Sequence, residues 1–394
     1  MKSIFATCLC TALLCSTCGK SVEIPPYEEP VYPDTFPTEV ENYNYSLGTQ
    51  TIGATYGFTS DTRLVETAKL IAAMGSNILK TDLSFSEGYE YSHELLEREP
   101  SYKAVMEMNF KYYFFWVYSK AKTAWIDGFS EEESQKEYDN MYKLTDYLLH
   151  TYAETSREFY LGHWEGDWHL TDQKGDLATV APERIQGMID WYNIRQKAID
   201  DARAANANSQ AKVFQYCELN RVFDALDKGY DRIINKVLPY INVDYVSYSS
   251  YDAIASTDYS TLKAKLHQAL NAIESRMKPK ADIEGKRVFI GEYGFDNLSN
   301  GESTQNLRSR MVMKAALEWG CPFILYWEMY NNEITENNQQ KGLWLINDKG
   351  VKQQVYYTHV NFYKRMKTWL SEYLSQNGKY PSREEFNSQA VTIF

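Results

Sequence analysis

The chain has 394 residues, 44% of them hydrophobic, with 53 acidic against 41 basic side chains and a formal net charge of −12. That length and apolar content suit one large single-core domain of α/β-barrel size plus appendages. The acidic balance and the lack of any basic stripe argue against nucleic acid or an anionic membrane surface as partner, because phosphate contacts need clustered Lys and Arg. Tyr and Trp are numerous, at 32 and 9, and aromatic faces at this density suit stacking on sugar rings.

Taken in order, the chain opens with MKSIFATCLCTALLCSTCGK, a single Lys followed by a short apolar run and small residues. This pattern reads as a secretory signal, too short to span a bilayer. Four of the six Cys lie inside it, at Cys8, Cys10, Cys15 and Cys18. The stretch Leu14-Cys-Ser-Thr-Cys-Gly19 resembles a bacterial lipobox with Cys18 as the lipidated residue, although Cys15 stands where Leu is usual. The expectation is a signal over residues 1–18 and a lipid anchor holding an exported protein at a membrane. Residues 19–49 carry Pro25, Pro26, Pro30, Pro33 and Pro37 without apolar periodicity, and read as a semi-rigid tether. Only Cys217 and Cys321 remain beyond the signal, and an unpaired buried pair is expected.

From residue 50 to 394 one pattern recurs eight times, an apolar β-rich run, a loop and an amphipathic helical segment. The strands are read at 51–58, 77–81, 112–118, 158–163, 212–217, 244–248, 287–291 and 322–327. Helices follow near 60–75, 130–153, from Pro182 onward, 222–237, 258–277, 303–319 and 353–376. Pro182 occupies a favoured first-turn position. Eight such units with right-handed crossovers predict an α/β fold, a single-domain (β/α)8 barrel. No glycine-rich phosphate loop follows the first strand, which argues against a nucleotide-binding sheet.

Two carboxylates stand where strands run out. Arg287-Val-Phe-Ile-Gly-Glu-Tyr-Gly-Phe295 ends a strand buried on both faces and then presents Glu292. Phe159-Tyr-Leu-Gly-His-Trp-Glu-Gly-Asp-Trp168 does the same for Glu165, three strands away. Catalytic residues of α/β barrels sit at this carboxyl end of the strands. A glycosidase needs such a pair, one group to protonate the departing oxygen and one to attack or to activate water.

Phe289-Ile-Gly-Glu-Tyr-Gly294, Ala73-Met-Gly-Ser-Asn-Ile-Leu-Lys80, Tyr245-Val-Ser-Tyr-Ser-Ser-Tyr-Asp252, Ile324-Leu-Tyr-Trp327 and Gly342-Leu-Trp-Leu-Ile-Asn-Asp-Lys-Gly350 together resemble segments of clan A glycoside hydrolases, the (β/α)8 retaining enzymes that include the cellulase and mannanase family. The resemblance spans roughly residues 51 to 376. It implies Glu165 as acid/base, Glu292 as nucleophile, Tyr251 as the tyrosine that orients the nucleophile and Trp327 as the floor of a sugar subsite. Three positions depart from the pattern: Trp164 stands for the Asn before the acid/base, Lys80 for the strand-two Arg, and Ser249 for a strand-six His. Trp116, Trp164 and His163 are further candidate substrate contacts, as is Lys80. His163, Glu165, Asp167 and His169 alternate with a period of two, a spacing that could present metal ligands. No further Cys/His cluster supports that reading, so neither a metal nor another cofactor is expected.

The expected function is therefore exported retaining hydrolysis of a β-linked polysaccharide or oligosaccharide. The rival expectation is a catalytically silent glycan-binding lipoprotein on the same barrel. Membrane contact would come only through the lipid, and nucleic acid is not an expected partner.

Overall fold

The structure, a computed structural model, describes residues 35–83, 88–119, 125 and 127–394. The expected signal, Cys18 and the first part of the expected tether lie outside the described residues. Eight parallel strands close into a barrel in sequence order: β1 (Leu47–Thr51), β2 (Ile78–Leu83), β3 (Tyr112–Val117), β4 (Glu158–Gly162), β5 (Lys212–Leu219), β6 (Tyr245–Ser249), β7 (Val288–Tyr293) and β8 (Ile324–Tyr326). The expected (β/α)8 barrel is the observed one.

The first strand lies earlier than expected, at Leu47–Thr51 instead of 51–58, so residues 47–49 belong to the barrel and not to a tether. Its sequence, Leu-Gly-Thr-Gln-Thr, is buried throughout yet mostly polar or small, which hid it from an apolar pattern. Most of the polar groups find partners inside: Thr49 Oγ1 donates to Tyr326 O at 3.0 Å and Gln50 Nε2 to Gly291 O at 3.0 Å. Gly48 is required here, because a Cβ would lie 2.8 Å from Ile78 and from Leu325. The short helix Thr38–Glu41 and the buried Val40 and Tyr45 extend the folded unit further upstream.

Two cores result. One lies between strands and helices. The other fills the barrel interior with Ile78, Phe114, Tyr160, Tyr216, Phe289, Phe323 and Leu325. Phe114 stacks on Tyr160 at 4.4 Å and meets Phe323 edge-on at 4.8 Å, so the interior is an aromatic plug and not a pore. Helix starts follow local chemistry: Ser130 and Glu133 form a capping box, and Pro182 opens the helix Pro182–Ala205.

Strand phase decides what reaches the top of the plug. Alternation carries Ile78 and Lys80 inward on β2, Phe114 and Trp116 on β3, and Tyr216 and Glu218 on β5. On β7 the register against β6 jumps from Ile290–Tyr248 to Glu292–Ser249, leaving Gly291 as an extra residue. That bulge turns Glu292 inward, where strict alternation from Phe289 would have sent it to the helices.

Candidate active site

Glu165 follows β4 and is 8% exposed. The turn that carries it is pinned by Asp167, whose carboxylate accepts backbone N–H groups from Asn220, Arg221 and Ile233 at 2.8–3.1 Å. From outside the barrel, Arg195 holds the carbonyls of Val117 and Gly162 at 3.2 and 3.1 Å and pairs with buried Glu137 at 2.6 Å. Two neutral donors reach the Glu165 carboxyl, Trp168 Nε1 at 2.8 Å and Asn220 Nδ2 at 3.2 Å, both on Oε2. Oε1 is thus the oxygen left to carry a proton. Burial, and next the charge of Glu218, push the Glu165 carboxyl up to about 8.

Glu292 is 3% exposed, with Oε1 fully enclosed, so Oε2 is the oxygen it can present. Lys80 Nζ approaches Oε1 to 3.6 Å. The same ammonium donates to Glu218 Oε2 at 2.9 Å and to Gly291 O at 3.1 Å, and sits 4.7 Å over the Trp116 ring. A single tetrahedral ammonium therefore serves three oxygens, a task a planar guanidinium would perform differently. Burial holds the Glu292 carboxyl well above the usual carboxylate range; Lys80 pulls it down, and Glu218 and Glu165 push it up. Three buried carboxyl groups surround one ammonium, so their titrations are linked. Lys80 pulls both carboxyl groups down and lies 3.6 Å from Glu292, whereas the hydrogen-bond donors to Glu165 are neutral.

Both glutamates line one cleft of about 900 Å³. Trp116, Trp164, Tyr251 and Trp327 line it too, with Asn332, Glu333 and Lys341 from the segment after β8. The rings of Trp116 and Trp327 lie 5.9 Å apart. Trp164 is anchored through its backbone N–H, which donates to Tyr118 Oη at 2.8 Å. Tyr251 sits in a single turn, Ser250–Asp252, and makes no hydrogen bond to either glutamate among the described residues. Ser249 pairs in register with Glu292, and its hydroxyl is buried without a partner among the described residues.

His163 departs from expectation. It is fully buried and does not line the cleft. Gly162 faces the interior, where a Cβ would strike the Tyr216 ring at 2.2 Å, so alternation turns His163 outward onto the helix Pro182–Ala205. There Nε2 pairs with the Tyr192 hydroxyl and Nδ1 with Trp164 O at 2.8 Å, and burial holds the imidazole well below its usual titration range. Its role is to brace the turn before Glu165. Asp167 is likewise committed to backbone donors, and among the described residues no three His, Cys, Asp or Glu side chains group as a metal site. Cys217 and Cys321 are buried free thiols.

The residue that sequence reasoning did not single out is Glu218. It stands at the end of β5, fully buried, and accepts from Lys80, from Ser247 Oγ at 2.8 Å and from the Glu165 backbone N–H at 3.0 Å. It thus links the Glu165 turn to the ammonium beside Glu292. An even phase with Tyr216 on an inward-facing strand was the one signal that could have found it.

No family model matches the chain, and no curated protein does. Solved structures do. A GH5-4 broad specificity endoglucanase from Bacteroides salanitronis aligns at 16% identity and TM-score 0.50, over 86% of this chain and 98% of that one. A family 39 glycoside hydrolase from Bacteroides cellulosilyticus aligns at 12% identity and TM-score 0.50, over 84% of this chain and 65% of that one. A GH5_18 protein from Bifidobacterium longum subsp. infantis aligns at 11% identity and TM-score 0.50, over 81% and 78%. The chain has the fold of these glycoside hydrolases, the type of barrel its motifs resemble.

Proposed function

We propose that the protein is a retaining glycoside hydrolase acting on a β-linked glycan, with Glu165 as acid/base and Glu292 as nucleophile. The observation that carries this reading is the unlike setting of two glutamates in one tryptophan-walled cleft. Glu165 has neutral donors on one oxygen and a carboxyl raised to about 8, so below that pH it holds a proton for the departing oxygen. Glu292 has an ammonium beside it at 3.6 Å.

In the first step Oε1 of Glu165 gives its proton to the glycosidic oxygen while Oε2 of Glu292 attacks the anomeric carbon. The C–O bond to the leaving sugar breaks as the ester to Glu292 forms. Glu165, now ionised, takes a proton from water, and that water displaces Glu292 with a second inversion. Trp327 and Trp116 supply apolar walls for the sugar ring under attack.

The test is a pair of variants. Glu292→Gln should abolish turnover on every substrate, because no glycosyl-enzyme can form. Glu165→Ala should keep its first step on activated aryl β-glycosides, and added azide should release a β-glycosyl azide. Equal loss in both variants with no azide product, or a product of inverted configuration, counts against the assignment. Binding without turnover across a broad glycan panel would instead give the cleft to a silent glycan-binding protein.

A further inference from the structure

Away from the two cleft glutamates, the buried acids of this chain are answered by cations or by several N–H donors. Glu137 faces Arg195, Glu218 faces Lys80, and Asp244 faces Arg203 and Lys280. Asp167 accepts three backbone N–H groups. Glu328 differs. It is fully buried two residues past the end of β8, and it forms no ion pair among the described residues. Its Oε2 accepts the Ile52 N–H at 3.1 Å, while Oε1 is enclosed without a partner. A charge left in that setting costs far more than a neutral acid, so the group keeps its proton.

Glu328 stands where three segments of the cleft wall meet. Its carboxyl holds Ile52, just past β1, its backbone N–H donates to Leu343 O at 3.3 Å, and its carbonyl accepts the Leu345 N–H at 3.0 Å. Asn332 Nδ2 closes the knot on Ile52 O at 3.0 Å. Ile52, Trp327, Asn332 and Leu343 all line the 900 Å³ cleft, and Glu328 lies behind them. We propose that Glu328 is a positioning residue that works as a neutral carboxylic acid, locking the wall made by Ile52, Trp327 and Leu343, and that its ionisation at alkaline pH releases that wall. As a device for glycan binding this rests on the glycosidase reading given above; the lock itself does not.

The charges that face the carboxyl act in the same direction as its burial. Burial is the main cause that holds it well above the usual carboxylate range, the Ile52 and Asn332 N–H groups pull it down, and Glu333 and Asp82 push it up. Glu333, on the segment after β8, is itself paired with Lys341 at 2.7 Å, and Asp82 lies on β2. A carboxylate at this position must be hydrated, and water reaches it only if the three segments part. The linkage has a definite sign. Above the ordinary Glu value of about 4.3 the native state holds this proton and the unfolded chain does not, so stability falls as pH rises towards the native titration. An amide cannot ionise, so Glu328→Gln escapes that loss.

Three readouts test the lock. The infrared spectrum of the wild type at neutral pH should contain a carboxylic-acid carbonyl band that is missing from Glu328→Gln. In urea unfolding between about pH 5 and 9, the midpoint of Glu328→Gln should pull steadily ahead of the wild type as pH rises. In a Glu292→Gln background, calorimetric affinity for β-1,4-linked gluco- or manno-tetrasaccharide should fall about tenfold per pH unit once Glu328 ionises, as for any binding state that must hold one proton. Adding Glu328→Gln should remove that fall. An infrared spectrum with the same acid band in both proteins, or equal pH slopes of stability, overturns the neutral acid. So does a Glu328→Gln chain that fails to fold, because the site would then need its charge. A fall in affinity that persists with Glu328→Gln overturns the positioning of the wall. If no glycan binds at any pH, the glycosidase reading fails, and the infrared and unfolding results alone decide the lock.

Discussion

At the scale of single residues, the proposed mechanism makes Glu218 the group that sets the working pH. Its negative charge is a cause of the upward push on both Glu165 and Glu292, and it competes with Glu292 for Lys80. Glu165 acts as an acid only while protonated, so the basic limb of the wild-type rate profile should fall near pH 8. Glu218→Gln removes the repulsion and leaves Lys80 to Glu292. Both carboxyl groups then titrate lower, and both limbs of the profile should move towards acid, with the basic limb well below pH 8. Steady-state rates between pH 4 and 9 on an aryl glycoside check this, and a profile that keeps its limbs while losing amplitude would reduce Glu218 to a packing role. In the sequence Glu218 is simply a carboxylate at the end of a strand. Only the barrel brings it to the Lys80 that also faces Glu292.

At the scale of elements, the two strands that carry Glu165 and Glu292 each need a glycine just before the site. Gly162 on β4 makes room for the Tyr216 ring, and Gly291 on β7 makes room for Ser247, whose Oγ would lie 1.7 Å from an added Cβ. Gly291 is also the bulge residue that rotates Glu292 inward, and its carbonyl receives Lys80 and Gln50. Gly291→Ala should destabilise the fold by about 1–3 kcal/mol, as overpacking does, and should lose activity because Ser247 and Glu218 are displaced together. Adding Ser247→Ala should recover part of the stability by removing the clashing oxygen. Urea unfolding of the single and double variants measures both effects, and a Gly291→Ala protein as stable as wild type would contradict the packing account.

At the scale of the whole molecule, the barrel is closed at its amino end by residues that neither the strand pattern nor the motifs reveal. The segment from Thr38 to Tyr45 meets the last helix, Arg383–Val391, through Tyr43 and Tyr45 against Phe386 at 5.1 and 6.0 Å. The folded unit thus starts near residue 38, and any spacer to a membrane anchor is shorter than the 19–49 reading. We keep the lipid anchor as a proposal, on the Leu14-Cys-Ser-Thr-Cys18 motif and the prolines that follow it. Cells fed a fatty-acid analogue should label the wild-type protein and not Cys18→Ala. Equal labelling of the two would remove the anchor and leave plain export.

The sequence by itself determined the barrel and the strands that carry Glu165 and Glu292, because eight apolar β runs alternating with amphipathic helices have few ways to bury both kinds of surface. It also placed Trp116, Trp164 and Trp327 at strand ends, since position along a strand is readable from its boundaries. It did not reveal β1, whose Gly-Thr-Gln-Thr lacks the apolar signal that burial usually leaves, nor the facing of His163, which a strand phase fixes only once Gly162 is known to point inward. The bulge at Gly291, the Lys80–Glu218 pair and the setting of Glu328 were decided by tertiary structure alone. Each depends on which side chains from distant strands meet across the barrel, and a one-residue change of phase on any strand reverses its partners.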